Sequence, residues 1–146
     1  MTEKIEVGYT PAAVVGGLGI YHKYILYTDS NGNKFYARGG PGVLGPGAAN
    51  GGRDEPSSSP FKNIKTESGN YDNKSPDWDR SRDPKNPDPN ATPHPRETIK
   101  EGGDLSREWN KIKETVKSVD DKNIPYDPRS TNSNSTVDEA LREARL

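Results

Sequence analysis

The pattern of hydrophobic and polar positions predicts a β-hairpin near the N-terminus. Two runs rich in aromatic and β-branched residues, Ile20–Thr28 and Lys34–Arg38, flank the dipeptide Asn31-Gly32. Asn-Gly between such runs is a strong hairpin signal, because tight hairpin turns need positive φ angles at their central positions. A further short strand is predicted over Phe61–Glu67, where apolar residues interrupt an otherwise polar segment.

Helical periodicity appears only in the last third of the chain. Apolar residues recur there at intervals of four, three, four and three, which places them on one face of a helix. They are Leu105, Trp109, Ile112, Val116 and Val119. Asp104 is a suitable N-cap for this helix. A closing helix is predicted from a second apolar set, which comprises Val137, Ala140, Leu141 and Ala144.

Residues 40–103 are dominated by glycine, proline, asparagine, aspartate and serine, and this composition predicts a long loop-rich segment. Its part from Arg80 to Pro95 is expected to be partly disordered, because proline blocks the hydrogen bonds of both helices and strands. His94 lies between two prolines in that part and is expected to be solvent-exposed. The predicted fold is a single α+β domain over residues 1–146, in which a small antiparallel sheet with an N-terminal hairpin packs on two helices.

Composition limits the size of the core and the class of partner. Leu, Ile, Val and Phe together make up only 22 of 146 residues, so the core is small. The 21 basic and 22 acidic residues nearly cancel and form no basic stripe, which argues against nucleic-acid binding. No apolar run is long enough to span a membrane, and acidic residues precede the first apolar ones, unlike in a standard signal peptide. We therefore expect a soluble protein.

The absence of cysteine excludes disulfides and a cysteine nucleophile, so any covalent catalysis must use another residue. The stretch from Thr131 to Leu146, TNSNSTVDEALREARL, offers Ser133 and Ser135 directly before a helical pattern. Both fit helix capping, and Ser135 or Thr136 with an acid three residues later approximates a capping box. A helix N-terminus also presents free N–H groups that stabilise an oxyanion, so Ser133 is equally suited to be a nucleophile.

A serine nucleophile needs a base, and His22 on the first hairpin strand can be held at a fixed angle there. A strand histidine followed by a sheet, and then by Asn132-Ser133 at the start of a terminal helix, resembles the circularly permuted papain-like proteins. These include the lecithin:retinol acyltransferases and the permuted cell-wall peptidases. Their Asn-Cys-x-x-Phe-Val motif aligns with Asn132, Ser133 and Val137, while Thr136 stands in place of the aromatic residue.

The resemblance implies a hydrolase or acyltransferase that acts on an amide or ester, with Ser133 as nucleophile and His22 as base. No His, Asp or Asn follows on the second hairpin strand, so Glu67 on the next strand is our candidate for orienting His22; Thr66 and Tyr36 remain open. By the same resemblance, the substrate is a peptidoglycan-type peptide or a lipid ester.

The resemblance further implies a bacterial effector or toxin module, delivered by a specialised secretion system and held in check by a neutralising protein. We expect no cofactor and no metal site, because the acid-rich DNKSPDWDRSRD lacks the spacing of a calcium loop. The alternative is a non-catalytic interaction module on the same fold, in which residues 132–135 merely cap the helix.

Overall fold

In a computed structural model of the chain, the described residues 2–11, 21–41, 64–122 and 133–146 form a five-stranded antiparallel sheet with two helices. The strands are β1 (Glu3–Pro11), β2 (Tyr21–Thr28), β3 (Lys34–Pro41), β4 (Ile64–Asn70) and β5 (Arg96–Gly102). The helices are α1 (Ser106–Asp121) and α2 (Ser133–Glu143). In the sheet the strands stand in the order β4-β3-β2-β1-β5. The predicted α+β fold class is therefore confirmed.

The predicted hairpin is present as the pair β2 and β3, which meet from Thr28 opposite Lys34 to Ile25 opposite Ala37. Its turn differs from the tight form that the Asn-Gly dipeptide indicates. Gly32 has a positive φ of 86°, whereas Asn31 does not, and the amide of Gly32 donates to the carbonyl of Asp29. This is the longer hairpin loop in which a single glycine takes the left-handed conformation.

Two strands have no clear signal in the sequence. β1 pairs with β2 on one side and β5 on the other, so it occupies an interior position of the sheet. β5 lies inside the segment predicted as loop, and its alternation is weak because it forms one edge of the sheet. Edge strands expose most of their side chains, which leaves them with little hydrophobic signature.

The helices cover one face of the sheet and complete the main core. All five apolar residues predicted on the first helix are buried, as are Val137 and Ala140 of α2. Trp109 stacks on Tyr27 with 5.3 Å between ring centroids. Asp104 accepts a hydrogen bond from the amide of Ser106, as expected of a capping residue. Within the described residues, neither helix has the length and apolar run that a membrane crossing requires.

A second, smaller cluster lies on the opposite face of the sheet, because successive residues of a strand alternate between faces. Tyr24, Leu26 and Tyr36 form it with Tyr71, and Trp78 packs at its margin. The covering layer on this face is the segment 71–95, which contains the short 3-10 helix Arg80–Arg82. The sheet is thus covered by helices on one side and by an irregular segment on the other.

Candidate functional site

His22 projects from β2 toward the face covered by the segment 71–95. Its Nδ1 lies 2.9 Å from Oδ1 of Asp77, and its Nε2 lies 2.9 Å from the carbonyl oxygen of Gly39. Nη2 of Arg38 is 3.2 Å from the same Nε2. Nδ1 donates its proton to Asp77. Nε2 lies beside both a hydrogen-bond acceptor, the Gly39 carbonyl, and a hydrogen-bond donor, the Arg38 guanidinium. The ring is held at both nitrogens.

Asp77 is the centre of this polar group, and only 2% of its surface is exposed. Besides His22, its Oδ1 accepts a hydrogen bond from the Thr10 hydroxyl at 2.9 Å, and its Oδ2 lies 3.3 Å from Nε of Arg38. Burial raises the pKa of this carboxyl, but the hydrogen bond and charge of His22, with Arg38 and Thr10, outweigh it and lower the pKa. Asp77 is therefore an ionised carboxylate held against an imidazole.

The position of Asp77 depends on a hydrogen-bonded framework within the covering segment. The Tyr71 hydroxyl donates to the carbonyl of Asp77 at 2.9 Å and accepts from the amide of Asp79 at 3.0 Å. The buried carboxylate of Asp79 accepts from the Ser81 amide, from the Arg82 guanidinium and from the amide of His94. These bonds fix a proline-rich segment without regular secondary structure. The predicted partial disorder of Arg80–Pro95 is not what the structure describes.

His94 was predicted to be solvent-exposed, and this prediction was wrong. The residue is 7% exposed, and its Nδ1 lies 2.9 Å from the Tyr24 hydroxyl. Burial lowers its pKa, and this outweighs the opposing charges of Asp79 and Asp77. The His94 ring packs edge-on against Tyr24, with 5.9 Å between ring centroids, so it joins the smaller cluster instead of extending into solvent.

Glu67, the candidate for orienting His22, lies on β4 and accepts a hydrogen bond from the Tyr36 hydroxyl at 3.0 Å. Burial and this bond raise the pKa of Tyr36 to about 12. The carboxylate beside the His22 ring belongs to Asp77, which reaches β2 from a segment 55 positions away. A sequence signal for Asp77 is weak, because it is one of several aspartates in a polar stretch.

The start of α2 lies against the same end of the hairpin. The side-chain oxygen of Asn134 accepts a hydrogen bond from the amide of Lys23 at 2.9 Å, directly after His22 in sequence. Thr136 packs on Gly39, where a methyl group added to the glycine would lie 2.6 Å from the threonine hydroxyl. The carbonyl of that glycine contacts the His22 ring. In the described parts of β2 and β3, pairing ends at Ile25 and Ala37. The Lys23 amide therefore bonds to Asn134 and not to β3.

Ser133 is the first residue of α2, but its side chain and Asn132 lie outside the described residues. Because α2 begins at Ser133, Ser135 and Thr136 lie within its first turn and not at the N-cap position. Ser135 is partly buried, whereas Thr136 is 2% exposed. The structure therefore brings the helix that Ser133 begins to the strand that carries His22.

Chemically, this region holds an oriented imidazole on the face covered by the segment 71–95. The helix α2 packs on the other face of the sheet, and its first turn reaches the same strand at the backbone amide of Lys23. Among the described residues, no group of three His, Asp or Glu side chains has the arrangement of a metal site. Comparison of the chain with known proteins gives no match, either to protein-family models, to curated proteins or to solved structures. The function is therefore argued from the residues of the site.

Proposed function

We propose that the protein is an acyl-transfer enzyme, a hydrolase or acyltransferase that acts on an amide or ester. Ser133 is the nucleophile, His22 is the general base, and Asp77 orients the imidazole in place of Glu67. The observation that carries this proposal is the hydrogen bond from the Lys23 amide to Asn134, across 111 positions of sequence. It holds the first turn of α2 beside the residue that follows His22.

In the proposed reaction, Ser133 attacks the acyl carbon while His22 accepts the hydroxyl proton. The backbone N–H groups at the start of α2, with the positive end of the helix dipole, stabilise the oxyanion that forms. His22 then gives its proton to the leaving amine or alcohol. Water or a second alcohol, deprotonated by His22, releases the acyl group from Ser133 and regenerates the hydroxyl. Asp77 remains ionised and stabilises the imidazolium.

The buried carboxylate of Asp77 supports this assignment, because a base must be held in one tautomer and one orientation. The Asp77 bond keeps a proton on Nδ1, which leaves Nε2 as the nitrogen that accepts from a nucleophile. In the structure Nε2 contacts the carbonyl of Gly39. Catalytic hydrogen bonds are often formed only when substrate binds, and catalysis here requires Nε2 to exchange this contact for one with Ser133.

The engagement of both ring nitrogens favours a second candidate function, a non-catalytic interaction module. In that case His22, Asp77 and Arg38 form a purely structural group that holds the covering segment on the sheet. Residues 132–135 then only cap the helix. The two functions make opposite predictions for covalent labelling of Ser133.

Labelling with a broad fluorophosphonate probe, followed by intact mass measurement, tests the enzyme. Wild type is expected to gain one adduct, Ser133→Cys to retain acyl-transfer activity, and Ser133→Ala and His22→Ala to lose labelling while remaining folded. Ser135→Ala is the matched control, since it removes a neighbouring hydroxyl and is expected to label like wild type. Equal labelling of wild type and Ser133→Ala would exclude Ser133, and no labelling of any variant would favour the interaction module.

The substrate class and setting follow from the resemblance to permuted papain-like proteins alone. We propose peptidoglycan-type peptides or lipid esters as substrates, and a bacterial effector or toxin delivered by a specialised secretion system. A neutralising protein that covers the first turn of α2 is the partner expected of such a toxin.

A further inference from the structure

A cleft of about 680 Å³ lies between the turn that joins β2 to β3 and the covering segment, and it is separate from the His22 contacts. It is bordered by the turn and first residues of β3, by the end of β4, by the covering segment and by Arg96 at the start of β5. Its volume is in the range of pockets that hold small organic molecules. None of the residues of the proposed acyl-transfer site lines it.

Three basic side chains line this cleft, and only one of them has a carboxylate partner among the described residues. Arg82 is paired with Asp79 at 2.7 Å. The ammonium group of Lys34 donates to the Thr28 hydroxyl at 3.1 Å, and Nε of Arg96 is buried without a hydrogen-bond partner in the described structure. Burial lowers the pKa of Lys34, as do the charges of Arg96 and Lys4, and the charge of Glu6 opposes this shift.

The buried carboxylate of Glu6 on β1 acts on Lys34 through its charge, but its ion pair is with Lys4 at 3.6 Å. The carboxylate of Asp79 is already occupied by donors from its own segment, including Arg82 and Ser81. Asp72 is exposed, and its Oδ1 accepts a hydrogen bond from the amide of Lys74. Guanidinium and ammonium groups without a carboxylate partner form strong, charge-assisted hydrogen bonds with an oxyanion.

An aromatic wall stands beside the basic groups. Tyr71 and Trp78 line the cleft, and their rings are 4.9 Å apart. Trp78 is only partly buried, so part of its ring is available to a ligand. Aromatic rings of this kind pack against flat apolar groups.

We propose that this cleft binds a small organic oxyanion, a carboxylate or phosphate monoester carried on a flat apolar group. Lys34 and Arg96 bind the oxyanion, and Tyr71 and Trp78 contact the apolar group. Trp78 and Tyr71 also adjoin Asp77 through the chain and through the Tyr71 hydroxyl. The ligand therefore packs against the segment that positions His22, although its binding does not depend on any reaction there.

The two tryptophans of the chain allow a direct test by NMR, because Trp78 lines the cleft and Trp109 lies in the main core on the other face. Phenyl phosphate and phenylacetate, titrated separately into the ¹⁵N-labelled protein, distinguish the two oxyanions. At least one is expected to shift the Trp78 indole signal saturably, while the Trp109 signal stays in place. Phenol and inorganic phosphate, each carrying half of the ligand, are expected to bind at least about ten-fold more weakly, the factor that 1.4 kcal/mol represents.

Lys34→Gln and Arg96→Gln are each expected to weaken binding about ten-fold or more, because each removes a charge-assisted hydrogen bond. Arg107→Gln is the control, because this substitution removes an equal charge from a side chain that is 95% exposed on α1. Well-dispersed amide spectra confirm that each variant is folded. The proposal is overturned if neither ligand shifts Trp78 saturably, if phenol alone binds as tightly, or if Lys34→Gln binds like Arg107→Gln.

Discussion

Asp77 Oδ1 lies 2.9 Å from Nδ1 of His22, and this contact joins the irregular covering segment to the central strand β2. The carboxylate is almost fully buried. It also accepts a hydrogen bond from the Thr10 hydroxyl and forms an ion pair with Arg38. Its removal leaves the imidazole without its hydrogen-bond acceptor and the Arg38 guanidinium without its ion-pair partner. The contact therefore contributes both to the stability of the domain and to the orientation of the proposed base.

We expect Asp77→Ala to lower the free energy of unfolding by roughly 3 to 5 kcal/mol, the usual effect of breaking a buried charge pair. Because the pKa of Asp77 is lowered in the folded state, its contribution is present above the ordinary carboxyl pKa and is lost as the pH falls through the folded value. Denaturant unfolding at neutral and acidic pH measures both effects.

Asp138→Ala is the control for this change, because Asp138 pairs with Lys23 at the surface and its side chain is 62% exposed. Surface pairs contribute at most about 1 kcal/mol. Equal unfolding midpoints for Asp77→Ala and Asp138→Ala would contradict the role given to Asp77.

Trp109→Ala is expected to destabilise the protein by roughly 3 to 5 kcal/mol, since it leaves a cavity in the main core. Trp109 is 5% exposed and stacks on Tyr27. Arg107→Ala, two residues earlier on the exposed side of α1, should stay within about 0.5 kcal/mol of wild type. Thermal melting of both variants measures this difference. An unchanged midpoint for Trp109→Ala would show that Trp109 does not lie in the main core.

Gly39→Ala is expected to cost roughly 1 to 3 kcal/mol through overpacking. The added methyl group would meet the Thr136 hydroxyl at 2.6 Å and its Cβ at 2.9 Å, so α2 has to move away from β3. Gly102→Ala is the matched control, because no atom lies within 4 Å of the corresponding methyl position. Chemical denaturation should separate the two variants, and similar stabilities would argue against close packing of α2 on Gly39.

The buried His94 predicts a dependence of stability on pH near neutrality. Its pKa lies below the ordinary value of 6.5 in the folded state, so at lower pH the unfolded chain takes up a proton that the folded chain does not. The free energy of unfolding should therefore fall as the pH drops from about 7 to about 5. His94→Gln keeps a hydrogen-bond acceptor for Tyr24 and should flatten this slope; a slope equal to that of wild type would contradict the burial of a neutral imidazole.

Local patterns in the sequence are sufficient for the elements that carry a strong periodicity. The β2–β3 hairpin and both helices are predictable because their apolar residues repeat with the period of the structure that they form. The strand β4 has one apolar residue, and it overlaps the predicted strand Phe61–Glu67 over residues 64–67. The stripe from Leu105 to Val119 is buried as predicted, because a helix with one apolar face has one stable way to pack on a sheet. His22 and Ser133 are likewise visible as residue types in suitable local settings.

The tertiary structure decided which distant residues meet. Asp77 contacts His22 across 55 positions and Asn134 contacts Lys23 across 111, and no local pattern encodes such pairs. β1 and β5 have strand structure chiefly because they pair with neighbours, and His94 is buried because a proline-rich segment crosses the sheet. The chain by itself thus determined the elements with a strong periodicity and the chemistry available. Long-range packing selected Asp77 from several aspartates, because only a folded backbone brings one carboxylate into a buried position beside the imidazole.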